Sequence, residues 1–265
     1  MIGQVNLQKK LNSYDYSTLP QSIMIEGGRG CGKHLLLNEL CIRLGVESEN
    51  ITKNLDYEYL SQLFSRVNPI IYVVDGSDIQ AKEQNALLKF LEEPPEIAKV
   101  IILCENRNNL LSTIQNRCIL FSFEPYTKDD LKNFTDNENL LQYVSTPGQV
   151  LELTNYDFKS ILDLCNLIID KIGVASIANI LSLADKFDAD GGFDSTIFFS
   201  IFQKILKDKL IEKKRDDVYD NQRFLNAYTL TARLRYNLKL PSANKKKLIE
   251  HYLLELKRFL RSDEN

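Results

Sequence analysis

The sequence predicts an α/β domain on a parallel sheet, followed by a half that is helical throughout. Three observations carry that prediction. Short apolar runs, Ser22–Ile25, Ile70–Val74, Val100–Leu103 and Cys118–Phe123, alternate with helix-like stretches over the first 125 residues. Each run is nearly continuous in Ile, Val and Leu, as in strands covered on both faces. From Glu124 onward such runs stop, and apolar residues recur at helical spacing to Leu260.

In chain order, Ile2, Val5, Leu7 and Leu11 predict a short amphipathic helix, with Gly3-Gln4 at its start. The strand Ser22–Ile25 leads into Glu26–His34, EGGRGCGKH, and then into a helix from Leu35 to Leu44. Strand, glycine-rich turn, lysine and helix is the context of a phosphate-binding loop, whose backbone amides and helix N-terminus attract phosphate oxygens. Gly27, Gly28, Gly30, Gly32 and Lys33 supply the loop, but the position after the lysine is His34. A Ser or Thr hydroxyl there would ligate Mg²⁺, and imidazole is a poor oxygen substitute for so hard a cation. Between Gly45 and Val67, Tyr57, Leu60, Leu63 and Phe64 suggest one helix. The strand Ile70–Val74 ends in Asp75, an acid placed to hold the metal of a nucleotide site. An acid capping the next helix would look the same in isolation. Gly76 follows, where a hydrolysing enzyme would carry a Glu.

Ile79 to Glu93 predicts a helix stopped by Pro94-Pro95, and Leu110, Leu111 and Ile114 a short one before the last strand. Thr127 to Asn155 reads as a small helical piece broken at Pro147-Gly148. Helical stripes then cover Tyr156–Ile172, Ile177–Phe187, Ser195–Glu212, Asn221–Asn237 and Lys245–Leu260. Asp188-Ala189-Asp190-Gly191-Gly192 has the beginning of a calcium loop, but the fifth position is Gly and the sixth is Phe193, so it reads as an interhelical turn.

Composition narrows the class. The chain has 265 residues, 44% apolar and 26% charged, as in globular domains. No apolar run approaches a membrane span, and the start MIGQVNLQKK lacks a signal peptide's pattern, so a cytoplasmic protein is expected. Cysteines 31, 41, 104, 118 and 165 show no C-x-x-C spacing, hence neither a zinc site nor a disulfide framework. A net charge of −3 argues against coating nucleic acid. The clusters Lys213-Lys214-Arg215 and Lys245-Lys246-Lys247 read as solvated helix faces.

Asn85–Pro95, NALLKFLEEPP, resembles a signature of the AAA+ clamp-loader ATPases: the tau/gamma and delta-prime subunits of bacterial DNA polymerase III and the small subunits of replication factor C. Gly3-Gln4, Leu19-Pro20, Tyr72–Asp75, Leu110–Cys118 (LLSTIQNRC) and Ser145–Gly148 resemble further motifs of that family in the same order. The resemblance covers residues 1 to about 155. It implies an AAA+ (P-loop) parallel-sheet domain at 1–125, a small helical lid at 126–155 and an all-α collar at 156–265, the last resting on helical character and Arg235-Tyr236-Asn237. It also implies that Arg117 is an arginine finger acting in the site of a neighbouring subunit, with Asn116 in place of the usual Ser.

The departures point one way. His34, Gly76, a Glu105 where a neutral sensor residue is usual, and a lid reading Gln149-Val150-Leu151-Glu152 without a sensor arginine are losses in one site. They match the delta-prime role, in which the subunit gives a finger and does not hydrolyse. ATP, ADP or a phosphate held weakly at the loop is the only ligand implied, and no metal. The implied partners are tau/gamma-like and delta-like subunits, a sliding clamp and, through the complex, primer-template DNA. The alternatives are an active tau/gamma-like ATPase and a non-replicative AAA+ scaffold. The absent four-cysteine module, replaced by a short segment around Glu47–Asp56, and the abbreviated lid imply a divergent, minimal version from a phage or an unusual bacterium.

Overall fold

The computed structural model describes residues 3–261 apart from Arg66, Asp78, 188–193, 213–217, Lys239, Pro241 and Ser242, with the side chains of 218–221 also left aside. Ile2, the Asp188–Gly192 segment with Phe193, and the Lys213-Lys214-Arg215 cluster thus lie outside the described residues. The chain divides into two compact units, Met1–Glu152 and Leu153–Asn265.

The first unit is built on five strands: β1 Ser22–Glu26, β2 Glu47–Asn50, β3 Ile70–Asp75, β4 Ala98–Cys104 and β5 Ile119–Ser122. All pairings are parallel, in the order β2-β3-β4-β1-β5. Strand β4 therefore separates β1 from β3. The three central strands are buried almost throughout because their side chains alternate between two covered faces.

On one face Ile23, Ile25, Ile71, Val73, Ile101 and Leu103 meet Leu7 and Leu11 of α1 (Val5–Asn12) and Leu36, Leu37 and Leu40 of α2 (Lys33–Leu44). On the other, Met24, Tyr72, Val74, Val100 and Ile102 meet Leu60 of α3 (Tyr57–Gln62), Leu87, Phe90 and Leu91 of α4 (Ala81–Glu92) and Ile114 of α5 (Ser112–Gln115). These two apolar layers contribute ~25 cal/mol per Å² removed from water and dominate the unit's stability.

Strand β2 is a departure from the sequence reading, which places only a helix in this region. Its sequence, ESEN, is polar and largely exposed, and it pairs with β3 at the sheet edge. Edge position explains the missing apolar signal, since only its backbone is recruited to the sheet.

Beyond β5 come α6 (Lys128–Lys132), α7 (Glu138–Leu141) and α8 (Pro147–Thr154). Pro147-Gly148 does not break a helix. It starts α8, because the first helical position needs no amide hydrogen. The second unit holds α9 (Phe158–Lys171), α10 (Ile177–Asp185), α11 (Ser195–Glu212), α12 (Val218–Asn237) and α13 (Lys245–Leu260). Its core includes an aromatic cluster in which Phe198, Phe199 and Phe202 of α11 pack on one another and Phe199 meets Tyr252 of α13. The Tyr252 hydroxyl shares a 2.8 Å hydrogen bond with Thr231, and Arg235 of α12 donates to Gln203 of α11. No helix among the described residues is long and apolar enough to cross a membrane.

Candidate functional site

Parallel strands place their carboxyl ends along one rim of the sheet, where ligands of such folds gather. Here that rim carries the glycine loop after β1, Asp75 at the end of β3 and Glu105 after β4. The strand order stands Glu105 between the other two.

The loop is well formed. Gly27 N–H donates to Cys104 O (3.0 Å), and Cys31 N–H to Gly28 O (3.2 Å). Gly30 and Gly32 have φ of +78° and +102°, backbone that L side chains rarely adopt. Lys33 folds back, its Nζ donating to Gly27 O (2.5 Å) and Gly28 O (3.3 Å). Beneath it, burial pushes the Cys31 thiol up, against the opposing pull of the Lys33 ammonium. Burial also raises Cys104 to about 11, assisted by the Glu26 carboxylate.

The residues do not fit a resident magnesium ion. His34 is exposed and brings a ring nitrogen where the metal wants oxygen. The Asp75 carboxylate turns to its own chain, Oδ1 accepting from Ser77 N–H at 3.0 Å, while its backbone N–H donates to Thr52 Oγ1 at 2.7 Å. Gly76 is enclosed: a Cβ there would stand 3.1 Å from Ile102 Cγ2 and 3.3 Å from both Leu103 O and Leu110 Cδ1. A side chain at this position requires these neighbours to give way. Glu105 is exposed at the rim.

Residues beyond β5 come down on the loop. Gly148 N–H donates to Gly30 O at 2.8 Å, Thr146 Oγ1 donates to Arg29 O at 2.8 Å, and Tyr126 OH donates to Cys31 O at 2.7 Å. Arg29 pairs with Glu152 at 2.8 Å. The fully buried Gln4 ties the N-terminal segment to the same region, exchanging two hydrogen bonds with the Glu124 backbone (2.8 and 2.9 Å). Sequence reasoning missed these contacts. They join residues more than 90 positions apart, and three of them end on backbone carbonyls of the loop, which leave no trace in composition.

Arg117 stands elsewhere. It lies two residues before β5, and the register Ile23↔Ile119 sets it level with Gln21, ahead of β1. Gly27 is six residues further along, about 20 Å at ~3.3 Å per residue. The structure therefore brings Gly27, Gly28, Gly30, Gly32, Lys33, His34 and Asp75 to one rim and leaves Arg117 on the opposite one. There its guanidinium is forked, with Nη1 donating to Thr113 O (3.0 Å) and Nη2 to Glu92 Oε1 (2.6 Å). Glu92 belongs to the LEEPP end of α4. In the same helix, buried Gln84 accepts from Leu111 N–H (2.8 Å) and donates to Ile79 O and Asn109 O (both 3.3 Å). Helix α4 thus fixes both the approach to α5 and the arginine beyond it.

Residues 54–127 match a family model described as DNA polymerase III, delta subunit. The chain is 25% identical over 171 residues to the DNA polymerase III subunit gamma of Buchnera aphidicola, covering 51% of this chain and 47% of that protein. It is 23% identical over 161 residues to the replication factor C small subunit of Methanococcus maripaludis, covering 53% and 51%. The chain thus spans about half the length of these relatives. A solved gamma-subunit-related protein of Thermotoga maritima aligns over 96% of this chain and 99% of that one, at 18% identity and a TM-score of 0.45. With its motifs in family order, the phosphate loop after β1 and β4 inserted between β1 and β3, the chain is similar to the AAA+ clamp-loader proteins over these stretches.

Proposed function

We propose that this chain is a delta-prime-like subunit of a sliding-clamp loader in DNA replication, acting in the cytoplasm. It hydrolyses no ATP itself and supplies Arg117 in trans to the site of a neighbouring ATPase subunit. The observation that carries this reading is the position of Arg117, about 20 Å from the chain's own loop by strand register. An extended arginine side chain cannot bridge that distance, so any phosphate it serves belongs to another molecule. A guanidinium delivered across an interface neutralises charge developing on the transferred phosphoryl group, an effect of roughly 10³–10⁵ at the site concerned. The partners in this reading are tau/gamma-like and delta-like subunits, the clamp, and primer-template DNA reached through the complex.

The test is reconstitution with a tau/gamma-like subunit, a delta-like subunit and a clamp. Arg117→Ala should remove part of the DNA-stimulated ATPase and leave assembly intact on gel filtration. Unchanged ATPase would overturn the finger assignment. Failure to form any complex would favour the non-replicative scaffold.

The intact run of Gly27, Gly30, Gly32 and Lys33 favours a second reading, an active tau/gamma-like ATPase. It requires hydrolysis by the purified chain that Asp75→Ala abolishes. The exposed imidazole of His34 and the enclosed backbone at Gly76 weigh against it.

A further inference from the structure

The contact between Gly148 and Gly30 is closer than any side chain would permit. A Cβ on Gly148 would stand 2.5 Å from Gly30 Cα and 2.8 Å from Gly30 O. A Cβ on Gly30 would stand 2.9 Å from Thr146 Oγ1 and 3.0 Å from Gly148 Cα. Two glycines are thus required face to face, one in the loop and one in the first turn of α8. Around them lie the Gly148 N–H to Gly30 O bond, the bond from buried Thr146 to Arg29 O, and the Arg29–Glu152 pair. The ion pair is half exposed and adds little. The backbone bond and the glycine fit carry the contact.

We propose that the phosphate loop of this chain is the socket of its own lid. Gly30 and Gly148 form a clasp that fixes α8 on the loop with no nucleotide between them. A lid held only through a ligand would lose its order without one. Here loop carbonyls at 29, 30 and 31 accept from lid and pre-lid donors directly, so lid order belongs to the polypeptide alone. The two glycines also explain why the loop keeps its shape although Mg²⁺ no longer fits it: the backbone conformation at Gly30 is needed to receive Gly148. This inference stands whether or not Arg117 serves a neighbour.

Hydrogen exchange on the purified full chain tests it, read for the segments 27–34 and 145–152 with and without added ADP. In the unaltered chain both segments should be protected without ligand, and ADP should leave them unchanged. Gly148→Ala should lower protection of both together by about tenfold or more, while peptides from β4 keep theirs and report an intact fold. Should that variant fail to fold, Thr146→Val removes only the hydroxyl donor and should weaken the same two segments to a smaller extent. Exchange at open-loop rates in the unaltered chain, ADP-dependent protection of the lid, or variants that leave both segments unchanged would each overturn the clasp. ATPase measurements on the reconstituted complex report Arg117 separately, so the two readings fail independently.

Discussion

Glu92 and Arg117 meet at 2.6 Å, joining the last turn of the LEEPP helix to the second residue past α5. Their side chains are 46% and 35% exposed, so the pair adds at most about 1 kcal/mol to folding. Its consequence is orientation. A guanidinium can reach Thr113 O and Glu92 together because its donors form a rigid fork, which an ammonium lacks. Arg117→Lys should therefore move the urea midpoint little, by less than ~1 kcal/mol, and still fail to restore the ATPase lost with Arg117→Ala in the reconstituted complex. Full restoration by lysine would show that charge alone suffices.

Gln84→Leu should be costly where the ion pair is not. The substitution leaves the Leu111 N–H, the Ile79 carbonyl and the Asn109 carbonyl without the buried amide that serves them. One buried group left unsatisfied costs about 1–3 kcal/mol, readable in equilibrium denaturation. Faster exchange should appear first in the segment 107–117, upstream of the arginine.

Gly76→Glu, the change that would reinstate the missing acid, should destabilise the unit by roughly 1–3 kcal/mol and give no hydrolysis. Its Cβ meets Ile102, Leu103 and Leu110 at 3.1–3.3 Å. Measurable ATPase from the folded variant alone would refute this expectation.

The thiols set a pH dependence. Burial raises Cys104 to about 11 and Cys118 to about 12, from an ordinary value of 9.0. In the unfolded chain these groups ionise near that ordinary value, whereas in the folded chain they stay neutral. Their contribution is therefore intact below about pH 9 and lost as pH rises through 11–12. The urea midpoint should fall across that window. At neutral pH, a thiol reagent should label the native chain far more slowly than the denatured one.

How much of this is legible in the sequence follows from what each element buries. The strands of Ile71, Ile101 and Ile23 announce themselves, since both faces are covered. Glu47–Asn50 stays silent because its edge strand joins the sheet through backbone bonds and carries polar, largely exposed side chains. The loop residues Gly27 to Lys33 are readable from their spacing. What Gly30 meets is not, because Gly148 lies 118 residues away and offers no side chain to suggest a contact. The boundary at Pro147 misleads for a local reason: proline ends helices in most positions and begins them in one.

The two rims of the sheet give the molecule a direction. One rim bears the glycine loop, the other the guanidinium of Arg117, and nothing about the fold interchanges them. An assembly that joins one chain's arginine to the next chain's loop must therefore run head to tail, as a ring or an open arc. A self-paired dimer cannot satisfy it. A member that gives its arginine and hydrolyses nothing itself, as proposed above, would fit at one terminus of such a row and set its polarity.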